Sequence, residues 1–237
     1  MIAAVTQPEH LPWLGWFDKA RQADVLVLLD NVQFKKRYFE NRNRIRSSNG
    51  PVWLTVPVLT RGRSTQTIRQ VEIDPTADWA PGQWKAIRLS YARAPHFERY
   101  ASFLDEIYLG RSWRRLSELN ETFIRWGLER FGYRPKVLRA SELGIQERAS
   151  ALLASICEEV GADCYLSGIS GKDYLDESEF SRRGVCVRYQ EFHHPVYEQI
   201  HGEFEPCMSF LDLLFNEGPR AAEIMAGGGR RLAQVFT

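Results

Sequence analysis

Two short apolar runs near the start constrain this chain more than any other feature. Ile2-Ala3-Ala4-Val5-Thr6 and Val25-Leu26-Val27-Leu28-Leu29 each have the length of one strand, and neither alternates with polar residues. A strand apolar on both faces must be covered on both faces, which is the condition of a parallel sheet packed between helices. Residues 11–23 separate the runs and set Leu11, Leu14, Phe17 and Ala20 on one helical face, so the opening reads as a βαβ unit. Ligands of such sheets bind outside the carboxyl ends of the strands. Two polar clusters follow those ends. The first is Gln7 to His10; the second spans residues 30–44 and holds Asp30, Asn31, Gln33, Lys35, Lys36, Arg37, Asn41, Arg42, Asn43 and Arg44. Both are expected on one rim, with Gln7 and Asp30 in one cleft, and the candidate site is placed there.

Further along, residues 52–58 (Val-Trp-Leu-Thr-Val-Pro-Val) read as a strand, Arg61 to Ser64 as a turn and residues 68–73 as a second strand, giving a hairpin excursion. Residues 83–131 read as a helical insertion of three helices. The last carries Leu116, Leu119, Phe123, Ile124 and Leu128 on one face, with Ser112 or Ser117 as its cap and Gly132 just past its end. The α/β pattern then resumes: a strand at 136–138, a helix at 147–160, a strand at 163–167, a short helix at 173–183, a strand at 185–192 and a helix opened by Ser209. The expected fold is α/β, a parallel sheet with flanking helices, a β-hairpin excursion and a helical insertion. Residues 1–218 are expected to form one domain, and 219–237 a C-terminal helix and tail that frays at its three glycines.

No apolar run approaches the ~20 residues of a membrane span, and the N-terminus has no charged leader. The four cysteines, Cys157, Cys164, Cys186 and Cys207, form no C-x-x-C pair and no metal-ligand spacing, and three of them, inside apolar runs, read as small buried hydrophobes. A cytoplasmic protein without a membrane partner is expected. The net charge of +1 conceals an uneven distribution: residues 35–69 hold nine cations against Glu40 alone, a local +8 that leaves −7 for the remainder. Such asymmetry points to an anionic partner.

The loop Ser167-Gly168-Ile169-Ser170-Gly171-Lys172 follows a strand end and has the makings of an anion-binding nest. It is not a P-loop, because two residues separate its glycines and no Ser or Thr follows Lys172. His193-His194-Pro195 closes the last strand, so His194 competes with His10 for any acid–base role. No hydrolase triad order and no cofactor box occurs.

The ordered set Gln7-Pro8, Pro12-x-x-Gly15, Asp30-x-x-Gln33-Phe34, Asn41-Arg42-Asn43, Leu54-Thr55-Val56-Pro57, Tyr165-Leu166-Ser167-Gly168, His194-Pro195-x-Tyr197 and Ser209-x-x-Asp212-x-x-Phe215-Asn216 resembles the WbqC-like family from Met1 to about Gly218. That resemblance implies a setting in surface-polysaccharide or secondary-metabolite biosynthesis, and transfer of an acyl or aminoacyl group, such as glycyl, to an amino sugar. The opening strand, glycine turn and helix also resemble HUP-type nucleotidyltransferases. Their H-x-G-H histidines fall on Trp13 and Trp16 here, so adenylyl transfer is not expected. The resulting expectation is an amide-forming transferase that needs no cofactor. Its base is Asp30, His10 or His194, and its oxyanion donor Asn41 or Asn43. Gln7, Gln33, Lys35, Lys36, Arg42, Arg44, Ser167, Gly168, Ser170, Tyr174 and Tyr197 are expected to hold an amino-bearing acceptor and an anionic donor, either an aminoacyl-tRNA or a nucleotide-linked substrate. The alternative is a non-catalytic nucleotide- or RNA-binding accessory protein.

Overall fold

The structure is a computed structural model that describes residues 1–227 and Leu232. At its centre lies a five-stranded, wholly parallel sheet in the order β5-β2-β1-β6-β7. The strands are β1 (Ile2–Thr6), β2 (Val25–Leu28), β5 (Lys136–Arg139), β6 (Cys164–Ser167) and β7 (Cys186–Tyr189). This is the doubly wound order: the chain builds outwards from β1 through β2 to β5, then returns to the other side of β1 for β6 and β7. The α/β expectation holds, and both apolar runs occupy the middle of the sheet.

Alternate residues of the central strands supply two cores. Ala4, Leu26 and Leu28 face the larger, which α1 (Leu14–Arg21), α4 (Leu116–Arg130) and α7 (Phe210–Glu217) fill with Phe17, Phe123 and Phe210. Ala3, Val5, Val25 and Val27 face the smaller, closed by Leu152 and Ile156 of α5 (Ala149–Glu159) and Phe180 of α6 (Glu177–Ser181). The helical segment contributes α2 (Trp79–Tyr91) and α3 (Phe97–Asp105), which runs on into a π-helical turn, Glu106–Gly110. The short α8 (Ala221–Ala226) follows α7. Among the described residues no helix is long and apolar enough to cross a membrane.

Five local expectations are corrected. The hairpin exists, but its strands are β3 (Arg42–Ser47) and β4 (Gly50–Thr55), joined at Gly50 with φ +106°. Part of the expected polar loop is therefore a strand, whose arginines alternate with the buried Asn43 and Ile45. Residues 68–73 hold a 3₁₀ turn, Ile68–Gln70, and form with the residues after β4 the isolated bridge Val58 to Ile73 instead of a strand pair. Helix α1 starts at Leu14 because Leu11 takes a left-handed conformation, φ +45°, and ends the turn that precedes it. Neither Ser112 nor Ser117 caps α4, whose N-cap position is Arg115 without a side-chain bond. Ser209 does cap α7, accepting from Leu211 N. Finally, Cys164 and Cys186, register partners on β6 and β7, form a disulfide, while Cys157 and Cys207 are free and buried.

Candidate functional site

The strand order reverses between β1 and β6, and a crevice of about 350 Å³ opens outside their carboxyl ends. This is where a doubly wound sheet receives ligands, since the connections leave β1 and β6 in opposite directions and part the loops. Gln7 and Glu9 enter it from β1, Ser167, Gly168 and Ser170 from β6, Tyr174 from the following loop, and Lys35 and Tyr38 from the loop after β2. Trp13 and Trp16 form the wall beside the start of α1. Gly15 has no alternative there: a Cβ on it would fall 2.3 Å from the Trp13 ring. Trp16 Nε1 donates to Gln7 O at 3.2 Å, and Gln190 Nε2 donates to Gly15 O at 2.9 Å, so the turn after β1 is held by its own wall.

Two ionisable groups stand out in this crevice. Lys19, on α1, is buried and donates from Nζ to Val5 O at 2.9 Å, with the Tyr165 ring 5.9 Å away. Burial lowers its pKa to about 8, opposed by Glu9. Burial raises the Glu9 carboxyl to about 8; Glu40 adds to the rise and Lys19 opposes it. Oε2 of Glu9 is buried and has no hydrogen-bond partner among the described residues. Behind it Glu40 is wholly buried, and neither of its carboxyl oxygens reaches hydrogen-bond geometry with any described group. Burial raises its pKa, opposed by its own backbone amide and by Lys35. Buried polar groups are ordinarily paired, and an unpaired carboxyl costs folding free energy on the order of 1–3 kcal/mol or more. Here Glu9 Oε2 lacks a donor, while the Glu40 carboxylate is helped by its own amide and by Lys35.

Of the residues singled out in the sequence, Gln7, Lys35, Ser167, Gly168, Ser170 and Tyr174 meet in this crevice. The others lie elsewhere. Asp30 and Gln7 leave neighbouring strands but line separate depressions, Asp30 facing one of about 250 Å³ with Arg69, Arg115 and Arg139. Its Oδ1 accepts from Ser141 N at 2.9 Å and its Oδ2 from Ser141 Oγ at 2.7 Å, so the carboxylate ties the end of β2 to the end of β5. Gln33 lines a third depression and donates to Ser64 O. Lys36 is exposed, and Arg42 and Arg44 lie on the outer face of the hairpin over Trp53.

His10 is fully buried; its Nδ1 is 3.2 Å from Asn120 Oδ1, its ring packs edge-on against Phe123, and burial lowers its pKa to about 4. His194 is also fully buried, with Nδ1 2.7 Å from Pro195 O and Nε2 accepting from Cys207 N, while the ring packs with Phe192, Tyr197 and Phe204. Asn41 Nδ2 donates to Val56 O and Asn43 Nδ2 to Leu11 O, so each amide fixes backbone instead of facing the crevice. Tyr197 is buried and gives its hydroxyl to Asp212, which also accepts from Tyr91 and Gln199.

Sequence reasoning passed over Glu9, Lys19 and Glu40. Glu9 sits inside the first polar cluster and is within reach of a closer reading. Lys19 gives no signal, because a lysine on a short helix is ordinarily solvated and only the packing of α1 beneath β1 shows otherwise.

Fold and crevice together define a doubly wound α/β protein with a crevice at its topological switch point. Residues 7–224 match the model of the WbqC-like protein family, and the chain belongs to that family. It is 35% identical over 223 residues to the uncharacterized protein Rv1507c of Mycobacterium tuberculosis, an alignment covering 94% of this chain and 96% of that one. No solved structure matches.

Proposed function

We propose that the protein is an amide-forming transferase that moves an acyl or aminoacyl group, such as glycyl, from an activated ester to the amine of a small molecule. An amino sugar on the way to a polysaccharide or secondary metabolite is the acceptor this reading favours. The observation that supports it is the unpartnered Glu9 carboxyl in the switch-point crevice, with Lys19 beside it and Glu40 behind. A carboxylate without a protein donor is an acceptor waiting for one, and an amine supplies N–H donors of matching charge.

Attack by the amine nitrogen forms the C–N bond and breaks the ester C–O bond. The amine proton passes to Glu9 and returns to the departing alkoxide oxygen. A base that titrates near 8 suits this work at neutral pH, where both of its forms are accessible. Burial is the main cause of the raised Glu9 pKa; Lys19 opposes it and so favours the carboxylate form that accepts the proton. Lys35 offers a cation towards developing oxyanion charge, and Gln7, Ser167, Gly168, Ser170 and Tyr174 are placed to orient the two substrates. Asp30, His10, His194, Asn41 and Asn43 have no part in this scheme, because none of them lines the switch-point crevice and each holds a hydrogen bond inside the fold; the unpartnered His10 Nε2 and Asn41 Oδ1 are buried away from it.

The test is incubation with aminoacyl-tRNAs, acyl thioesters and amino-sugar nucleotides, followed by mass spectrometry. A new amide that disappears in Glu9→Gln supports the reading, and a full donor and acceptor panel yielding none overturns it. The rival reading, a non-catalytic nucleotide- or RNA-binding accessory protein, is favoured by the indoles of Trp13 and Trp16 at the H-x-G-H positions. It requires that ligand binding survive without any transfer.

A further inference from the structure

A row of aromatic side chains leaves the crevice and climbs the outer face of the hairpin. Tyr38 lines the crevice mouth and is 45% exposed. Its ring lies 5.3 Å from Phe39, and Phe39 lies 6.2 Å from Trp53, which is 43% exposed on β4. Cations flank the row at both ends. Lys35 Nζ stands 5.3 Å from the Tyr38 ring, and the guanidinium carbons of Arg42 and Arg44 stand 4.3 and 5.6 Å from Trp53. Arg42 and Arg44 are two apart on β3, hence on one face, and Trp53 is the register partner of Arg44.

None of these three cations forms an ion pair with a described acidic residue, although Arg63 in the same basic stretch pairs with Glu72. The Nε atoms of Arg42 and Arg44 are buried without a partner among the described residues. Exposed aromatics spend hydrophobic free energy, and uncompensated neighbouring cations repel one another; the two together fit a ligand that stacks and carries negative charge. A nucleotide would occupy one ring and one or two cations. A polynucleotide whose bases are free to splay out would occupy all three rings, whereas a duplex has no open base faces to offer.

We propose that this row is the docking surface for a single-stranded RNA segment whose end enters the crevice between Tyr38 and Glu9. The choice of RNA over other polyanions rests on the transferase reading, in which the unpaired end of an aminoacyl-tRNA delivers the ester; the surface itself rests on the geometry above. Bases stack on Tyr38, Phe39 and Trp53 while Lys35, Arg42 and Arg44 meet phosphates, so that the row sets the direction in which the strand arrives.

Fluorescence anisotropy of the full chain with a labelled single-stranded oligoribonucleotide, across a salt series, tests this. Binding is expected with a log–log salt slope of roughly −2 to −3, about −0.7 for each phosphate neutralised on a single strand. Trp53→Ala should weaken it by about 10- to 100-fold, with Trp53→Phe recovering much of the loss. Arg42→Ala should lower the magnitude of the slope by about 0.7. Trp53 is exposed, so melting curves that overlay the wild type establish that the variants are folded.

Binding unchanged in Trp53→Ala and Arg42→Ala overturns the surface. So does equal affinity for an RNA duplex, and equal affinity for the matching DNA strand overturns its assignment to RNA. Amide transfer from a donor that is not RNA, with no oligoribonucleotide binding, overturns the surface and leaves the transferase standing. RNA binding on this row without transfer does the reverse.

Discussion

Asp30 and Glu9 stand one strand apart on the carboxyl rim of one sheet, and their surroundings are opposite. Asp30 is 4% exposed and receives two hydrogen bonds from Ser141, one from backbone and one from hydroxyl. Its bonding joins two strands and leaves little for a ligand. Glu9 opens on the switch-point crevice with an oxygen that no hydrogen-bond donor of the described chain satisfies. A folded chain gains nothing from such a group unless something else binds it. Position at a strand end therefore does not separate a carboxylate bound up in the fold from one open to the crevice; its hydrogen-bond partners do.

The contrast is broken most directly by activity. Glu9→Gln keeps the shape and removes the proton acceptor, and transfer should fall by roughly 10²–10⁴-fold in a folded protein. Asp30→Asn, assayed beside it, should leave turnover per folded molecule within about threefold. A folded Asp30→Asn that has lost turnover while Glu9→Gln keeps it would invert the comparison. Stability should show the opposite ranking. Asp30→Ala strands the Ser141 donors and should cost about 2–3 kcal/mol by urea unfolding, whereas Glu9→Gln should cost nothing or stabilise.

The pH dependence sharpens the contrast further. Glu9 titrates near 8 in the fold against an ordinary 4.5, so folding favours its protonated form. The associated stability is fully present below about pH 4.5 and is lost as pH rises towards 8. Lys19, lowered from 10.5 to about 8, favours folding as the neutral amine; its penalty is full below pH 8 and is relieved as pH rises towards 10.5. Between pH 5 and pH 8, Glu9→Gln should therefore gain on the wild type by ~1–3 kcal/mol. This is less than the full shift at about 1.36 kcal/mol per unit, because Lys19 takes up part of the titration. Urea midpoints at the two pH values measure it. Ser209→Ala gives the scale of an ordinary structural loss: without the cap on Leu211 N, α7 should cost about 1 kcal/mol, at any pH and with no effect on turnover.

How much was legible follows the same line. β1 and β2 announced themselves because a strand buried on both faces needs apolar residues throughout, and the rim with its first polar cluster came with them. β3 was hidden because its outward positions are Arg42, Arg44 and Arg46, which read as loop until the buried Asn43 and Ile45 between them are seen. The cysteines of β6 and β7 sit 22 residues apart, and only the register brings them opposite one another. Asp30, His10, His194, Asn41 and Asn43 have the chemistry of a site, but whether a polar side chain is satisfied depends on backbone groups distant in sequence. Asn43 meets Leu11 O, and His10 meets Asn120. That information resides in the tertiary structure and not in residue type.

Asn120 joins these matters. From α4 its Nδ2 donates both to Pro8 O at 2.8 Å and to Glu40 O at 2.7 Å, and its Oδ1 faces His10. One side-chain amide thus fixes the gap between the backbone that carries Glu9 and the backbone that carries Glu40. Burial is the main cause of the raised proton affinity of Glu9, and the part that the charge of Glu40 adds to it depends on a helix that does not line the crevice. Drift in the packing of α4 would retune the crevice from a distance, giving related chains with the same lining residues different working pH.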